Sequence, residues 1–451
     1  MVDLTRKIDG LVAGGGNAAL CAAIVHHKAG RLGEAEAAYR AALEIVPGHA
    51  AITQNLGVVV AAQGKHRSAI GHFDQVIAAE PHYVSAHYNR AVALQELGQS
   101  REAIRGFGRV CTLEPAHYDA HRALGFLWLA EGERGRALDH FARTYELRRG
   151  EDRTDMAAKS LTFGSRSKLL HDSEQFRFLS KRRRDGQRFE VLARTYAEVA
   201  KDVSEGVTKL SDRQLDMLGD DYNTAINICG TPELSGRAVS ERFDHETITQ
   251  RFNEQQTGVV MFDDLLTPPA LAGLKRYLLE STIWHDFNHI GGFVASYLED
   301  GLACPLLLQI ADELRSTFPE LLGKHPLTQA WAFKGLEPRA AIDAHADDAV
   351  ISVNFWVTPD VANLNPNRGG MAVCRVPPPV GWQVRDYNAD KDWAVTFLAH
   401  NVAETLILPY RENRAILFES RLFHRSDMPE FALGYENHRI NMTLLFGRYG
   451  D

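Results

Sequence analysis

Two histidines and one carboxylate gathered on one side of a divalent ion leave its other coordination positions open to reactants. That donor set is the one by which non-haem Fe(II) sites take up a co-substrate and dioxygen. The sequence offers it near the C-terminal end, in Asp343-Ala-His345-Ala-Asp347-Asp348, with His424 and Arg439 as later partners. Spacing alone does not single it out, because His-x-Asp also occurs as His72-Phe-Asp74 and His117-Tyr-Asp119. The first lies inside a helical pattern and the second at the entry to one, where side chains two apart point to nearly opposite sides. His345-Ala-Asp347 instead precedes Ala349-Val-Ile-Ser-Val-Asn-Phe-Trp-Val357, in which Val353, Phe355 and Val357 alternate with Ser352, Asn354 and Trp356, a strand pattern. Residues two apart in extended chain share a face, so His345 and Asp347 can reach one point.

Competing readings attach to each residue. His345 has a surface turn histidine as its alternative, but Asp347 and the strand context favour metal ligation. Asp348 points away from its neighbour and reads as solvated or as a support behind the ligands. His424, in Arg421-Leu-Phe-His-Arg-Ser-Asp427, is the histidine placed at the end of a late strand, with a core histidine as its alternative. His400 and His438 follow no such strand. Trp331, Phe333 and Trp356 read as core, and Lys334 as facing either the site or solvent. His285 and His289 have a metal-ligand spacing only if helical. Gly291-Gly292 and the following Phe-Val-Ala-Ser-Tyr point to a loop entering a strand, so the pair reads as structural or substrate-facing.

These residues need a scaffold of strands. Thr257–Leu266 reads as a strand and Pro268–Leu279 as a helix with a proline-led start, opening a domain near residue 256 that runs to 451. A helix over Leu306–Leu314 follows. Short strands then recur at Gln329–Lys334, Ala349–Val357, Gly370–Val376, Glu404–Leu408, Arg414–Glu419 and Arg439–Phe446, separated by turn-rich segments such as Asn363–Gly370 and Pro377–Pro379. Many short strands with polar breaks indicate a sandwich or jelly roll. On the last of them Arg439, Asn441 and Thr443 share one face, and Ile440, Met442, Leu444 and Phe446 the other.

The first third is organised differently. At a period of 34 residues, glycine recurs at Gly30, Gly64, Gly98 and Gly132, and alanine at Ala35, Ala69, Ala103 and Ala137. An aromatic column holds Tyr39, Phe73, Phe107 and Phe141, and a fourth reads Pro47, Pro81, Pro115 and then Arg149. Glycine turns the chain between paired helices, alanine permits close approach, the aromatic fills the gap and proline stops the second helix. The pattern resembles the tetratricopeptide repeat and implies an all-α solenoid over residues 1–150. Asn55 and Asn89 occupy equivalent positions on its expected concave side, similar to the asparagine ladder by which some such arrays hold an extended peptide. Cys21 and Ala123 stand at the matching positions of the outer units, and stabilising the repeat or facing water is the competing reading. Residues 151–255 lose the period and read as a helical connector.

Composition narrows the partners. A net charge of −8 over 451 residues, with both signs interspersed, argues against nucleic acid as the main ligand; the cluster Lys181–Arg184 reads as a solvated helical face. No apolar run is long enough to span a bilayer. Five scattered cysteines without Cys-x-x-Cys suggest a reducing cytoplasm.

The last two hundred residues or so combine a strand-helix opening, His-x-Asp before a strand, Trp356 and Pro359 followed by Gly369-Gly370, a distal histidine and a later arginine. This resembles the double-stranded β-helix of the 2-oxoglutarate-dependent Fe(II) dioxygenases. The resemblance implies iron ligation by His345, Asp347 and His424, and pairing of Arg439 with the far carboxylate of 2-oxoglutarate, with Asn441 and Thr443 beside it. A planar guanidinium suits that task, holding a carboxylate through two parallel charge-assisted bonds. The sequence departs from the pattern at Asn441, where many members carry a hydroxyl. The implied enzyme uses Fe(II), 2-oxoglutarate and O2, with ascorbate in support, to hydroxylate a peptide or protein presented by the repeats. Three other readings stand beside it: the same chemistry on a small metabolite with repeats for dimerisation, an interaction scaffold with an inactive barrel, and a cupin-like metal enzyme without 2-oxoglutarate.

Overall fold

The computed structural model describes residues 15–151, 153, 161–255, 257–287, 292–379 and 391–448. They fall into two compact units, Met1–Trp128 and Leu129–Asp451.

In the first unit six helices form three antiparallel pairs: α1 (Gly15–Lys28) with α2 (Leu32–Ile45), α3 (Ala50–Ala62) with α4 (His66–Ala79), and α5 (Val84–Glu96) with α6 (Ser100–Leu113). The start of α7 (Tyr118–Ala130) follows. Each pair turns on a glycine of the repeat column in the left-handed region, at φ 72° for Gly30, 77° for Gly64 and 70° for Gly98, which other residues adopt only at a cost. Ala35, Ala69 and Ala103 are fully buried, as are Phe73 and Phe107. An aromatic of this size is worth several kcal/mol, about 3–5 when truncated to alanine, so the column supplies much of each pair's cohesion. Pro47, Pro81 and Pro115 stand just past the ends of α2, α4 and α6.

The second unit begins with the array's last helix, α8 (Arg134–Arg149). Arg149, which breaks the proline column, lies buried and pairs with the buried Asp300 through Nε to Oδ1 at 3.0 Å and Nη2 to Oδ2 at 2.9 Å. Asp300 closes a 3-10 turn, Leu298–Asp300, after a strand of the sheet domain. The helix thus runs on where the others stop because its terminal residue is a buried anchor. Next come a two-residue strand pair, β1 (Phe163–Gly164) with β2 (Thr208–Lys209), and helices α9 (Arg166–Ser180), α10 (Gly186–Ala200), α11 (Asp212–Leu218) and α12 (His245–Asn253). Phe176, Phe189 and Tyr196 join α9 to α10.

Two antiparallel sheets complete this unit. The larger has β3 (Val259–Phe262), β4 (Phe293–Tyr297), β5 (Leu327–Gly335), β6 (Ile351–Trp356), β9 (Ala415–Glu419) and β11 (Ile440–Phe446), in the order β3-β9-β6-β11-β5-β4. The smaller has β7 (Met371–Cys374), β8 (Thr405–Leu408) and β10 (His424–Ser426), in the order β10-β7-β8. Helices α13 (Pro268–Glu280) and α14 (Pro305–Thr317) both start on proline. A further helix, α15 (Lys391–His400), packs Ala394, Trp393 and Phe397 against Phe423 and Cys374. Val259, Trp356, Ile416 and Phe418 from the large sheet meet Met371, Val373 and Leu408 from the small one in a shared core. The strand expectations hold to within a few residues at either end. Two elements differ: α15 was not anticipated, and His424 opens the short strand β10 instead of ending the longer strand before it.

Candidate metal centre

Register decides what lies inside. On β11, Asn441 faces Trp356 of β6 and Phe333 of β5, while Thr443 faces Asn354 and Trp331. Residues paired across strands project to the same side. The inner wall at this end of the large sheet therefore carries Trp331, Phe333, Ser352, Asn354, Asn441 and Thr443. With His345, His424, Arg439, Ile342, Met371, Arg425 and Ser426 most of these residues line one narrow cleft, whose empty space, open mouth included, is about 290 Å³.

His345 and His424 sit on adjacent backbone segments joined by a mutual pair of bonds, His345 N–H to His424 O at 3.0 Å and the reverse at 2.9 Å. The Asp347 N–H donates to Ser420 O at 2.9 Å. These bonds bring all three side chains together, with donor atoms within 4.8 Å of one another. His345 Nε2 lies 3.7 Å from Asp347 Oδ1, and His424 Nε2 3.5 Å from Oδ2. Donors about 2.1 Å from one ion and at right angles lie about 3 Å apart, so both contacts to Asp347 would close on loading by about 0.5–0.7 Å, and any wider separation within the set, up to the 4.8 Å limit, by more.

The protonation pattern fits as well. His345 Nδ1 is 2.8 Å from Asp343 O and His424 Nδ1 2.9 Å from Leu422 O. A carbonyl only accepts, so each Nδ1 carries a proton, and Nε2 is the ring nitrogen turned towards Asp347. Burial, and then the neighbouring His345, depress the His424 pKa to about 4, leaving the ring neutral and ready to ligate. Ser352 Oγ donates to Asp347 Oδ2 at 2.8 Å and lies 2.9 Å from Ser420 Oγ. Such hydrogen bonds orient a ligating carboxylate. Asp348 is exposed.

Arg439 is buried, with Nε donating to Gly369 O at 2.8 Å and Nη2 to Gly370 O at 3.0 Å. It has no ion pair among the described residues, and Nη1 makes no hydrogen bond to them. Burial lowers its pKa to about 10, so it remains a cation at neutral pH. Two neutral carbonyls and the Trp356 ring, 5.7 Å away, compensate this buried cation incompletely among the described residues, and it lines the same cleft as the histidines.

Other expected residues lie elsewhere. Trp331 and Phe333 are half-buried walls of the cleft and not core; Trp356 is core. Lys334 faces neither cleft nor solvent. It is fully buried on the opposite side of β5, with Nζ 3.2 Å from the Tyr435 ring centroid. His285 is structural, held by Asn223 Oδ1 at 2.9 Å and Tyr145 Oη at 2.8 Å; His289 lies outside the described residues. Asn55 donates to Ala51 O of its own helix at 2.7 Å, while Asn89 is half-buried. Sequence reasoning missed Ser352, Ser420 and Asn354 as site residues, although polar residues on the inward phase of a buried strand were a usable signal.

The tetratricopeptide repeat family matches residues 16–80 and 55–109 in two overlapping alignments. The N-terminal region carries tetratricopeptide repeats. Similar solved structures include MamA of AMB-1, at 26% identity over 35% of this chain and 85% of that one with a TM-score of 0.28. MamA from residue 41 onward of Desulfovibrio magneticus RS-1 aligns at 22% identity over 31% and 78%, TM-score 0.30. The first TPR of Spaghetti (RPAP3), bound to the HSP90 peptide SRMEEVD, aligns at 21% over 26% and 93%, TM-score 0.25. No curated protein matches the chain. The repeats mark the N-terminal region as a protein-interaction scaffold, and the C-terminal region is rich in β-sheet.

Proposed function

We propose that the C-terminal unit is a double-stranded β-helix oxygenase that uses Fe(II) and 2-oxoglutarate to hydroxylate a peptide or protein recruited by the repeats. One observation carries the reading: an oriented His345–Asp347–His424 donor set shares a single cleft with the buried guanidinium of Arg439, which has no ion pair among the described residues. Two opposed antiparallel sheets around that cleft support the fold assignment.

His345, Asp347 and His424 would hold the metal, and Arg439 would anchor the distal carboxylate of the co-substrate. The bound metal with 2-oxoglutarate and O2 supplies the oxidising chemistry, in which a C–H bond of substrate becomes C–OH while 2-oxoglutarate and O2 yield succinate and CO2. The chain's own share is positional. The Nδ1–H···O bonds keep both Nε2 lone pairs directed inward. Ser352 keeps Asp347 turned to them, and Trp331, Phe333 and Ile342 form apolar walls that exclude water and receive the substrate.

The test is succinate formation from 2-oxoglutarate by purified protein with Fe(II) and ascorbate under air. Turnover that is abolished by His345→Ala and requires more 2-oxoglutarate after Arg439→Ala supports the reading. Silence of the wild type across iron concentrations refutes it and leaves the interaction scaffold. A peptide substrate is distinguished from a small metabolite by deleting residues 1–128, the first compact unit: loss of peptide turnover with free amino-acid turnover intact supports recruitment by the repeats.

A further inference from the structure

A second cavity lies within the same compact unit and shares no lining residue with the metal cleft. Four segments line it: α9 with Lys168 and Asp172, α10 with Tyr196, and two connecting stretches that carry Asp221 and Asn223 and, further on, Thr282 and His285. Backbone bonds fix the two stretches to each other, Thr282 N–H to Asn227 O at 2.8 Å and Asn227 N–H to Thr282 Oγ1 at 3.0 Å. The cavity is narrow, with an empty space of about 240 Å³, open mouth included. Only a molecule of a few non-hydrogen atoms can enter.

Its polar groups are buried, and their bonds fall short of what they can make. Lys168, 3% exposed, directs Nζ to Asp172 Oδ2 and makes no second bond among the described residues, although an ammonium has three protons to give. Asp172 also accepts from His171 Nδ1 at 3.0 Å. Tyr196 is fully buried and its Oη has no partner. Burial first, then the carboxylates of Asp172 and, more weakly, Asp221 on the same wall hold the Tyr196 pKa well above the ordinary range, so the hydroxyl stays a donor. Asn223 gives Oδ1 to His285 Nδ1 at 2.9 Å and keeps an amide NH2 that makes no bond to the described residues. Buried donors are seldom left unmet, and these three call for a shared acceptor. The charges narrow its type. Burial keeps His285 neutral, so Lys168 is the one cation among the described lining residues, against the carboxylates of Asp172 and Asp221. Asp221 accepts from Arg188 Nη2 at 2.8 and 2.9 Å and retains further lone pairs. A bare anion is therefore disfavoured, and a ligand carrying both signs is matched. We propose that this cavity binds a small α-amino acid, glycine or alanine in size, with its carboxylate on Lys168, Tyr196 and Asn223 and its ammonium towards Asp221. The site is independent of the oxygenase reading and stands or falls without it.

Saturation-transfer NMR on the full-length, metal-free protein, following the methyl signal of L-alanine, reads the binding, with ligand-free melting temperature recorded for every variant. L-Alanine is expected to bind about tenfold or more tightly than propionate, which lacks the ammonium, or ethylamine, which lacks the carboxylate. Tyr196→Phe removes a hydroxyl without a protein partner, so its melting temperature should match or exceed that of the wild type while alanine binding weakens about tenfold. Asn223→Asp keeps an acceptor for His285 and sets a carboxylate against that of the ligand, again with a loss of about tenfold or more. Added 2-oxoglutarate should leave alanine binding unchanged, because the two sites share no residue. Alanine binding that is absent, equalled by propionate or ethylamine, unaffected by Tyr196→Phe, or displaced by 2-oxoglutarate overturns the proposal. Should Tyr196→Phe lower the ligand-free melting temperature, Asn223→Asp decides, and unchanged binding in that variant overturns the proposal equally.

Discussion

Ser352→Ala is the substitution that bears most directly on how the donor set is held. Ser352 Oγ has one proton and two acceptors within reach, Asp347 Oδ2 at 2.8 Å and Ser420 Oγ at 2.9 Å; the charged carboxylate is the stronger of the two. The last link to that carboxylate, 3.5 Å from His424 Nε2, is therefore the Ser352 hydroxyl. Alanine removes the last link while leaving the strand and the Asp347 N–H to Ser420 O bond intact. A hydrogen bond to a charged group is worth about 1.5–3 kcal/mol, and loss of such an orienting bond costs about tenfold to a hundredfold in metal affinity. The two figures agree, since tenfold corresponds to about 1.4 kcal/mol. Titration with Co(II) or anaerobic Fe(II), with melting measured in chelator as a folding control, is expected to show that loss. Ser420→Ala, which leaves the Ser352 bond to Asp347 in place, should cost less. An unchanged affinity in Ser352→Ala, within about threefold, would refute the assignment of Asp347 as an oriented ligand.

Three further outcomes follow from the packing. Burial holds the His171 pKa near 4 against an ordinary 6.5. Between those values the unfolded chain takes a proton that the folded chain refuses, so stability falls as pH drops through this window, by about 3 kcal/mol at most; denaturant melts at pH 5 and 7 should show a smaller difference in His171→Gln. Lys334 makes no hydrogen bond, and burial pulls its pKa well below the usual lysine range. A desolvated cation on an aromatic face gains about 2 kcal/mol, less than the several kcal/mol of desolvation. Lys334→Met should therefore raise stability by about 1 kcal/mol or more and flatten the rise of wild-type stability with alkaline pH, both read from urea melts. In the repeats, Phe73→Ala should cost about 3–5 kcal/mol in urea melts of the first unit, since Phe73 is fully buried and Gly57 leaves room for its ring alone, with an added Cβ there only 2.6 Å from Phe73 Cε1.

The repeats were legible because each column performs one packing task at a fixed interval. Left-handed Gly64, buried Ala69 and Phe73, and Pro81 after the helix end are local requirements that residue type alone announces. Strands β5, β6 and β11 were legible through alternation, and alternation also put His345 and Asp347 within reach of each other. What alternation does not contain is the partner. It gives no register, so it does not place Trp331 and Phe333 opposite Thr443 and Asn441 on the wall of a cleft. A three-residue strand such as β10 has too few residues to show a period, and Lys334 was ambiguous because a charged residue in a strand says nothing about which side is wet.

The inner phase of β6 and β11 shows why the site nevertheless left a trace. On the wall shared by two sheets that phase should be apolar throughout, as Trp356, Ile416 and Phe418 are further along. Instead Ser352, Asn354, Asn441 and Thr443 occupy it, at most 3% exposed. Each buried polar group costs about 1–3 kcal/mol unless it is bonded, so four together on one wall oppose folding unless they serve one another or a ligand. Ser352 serves Asp347, and Asn354, Asn441 and Thr443 serve one another only in part. Local rules broken at one place in an otherwise consistent sheet are the mark expected of a functional site. The guanidinium of Arg439 beside them, without an ion pair among the described residues, gives that mark its chemical direction, towards a bound anion.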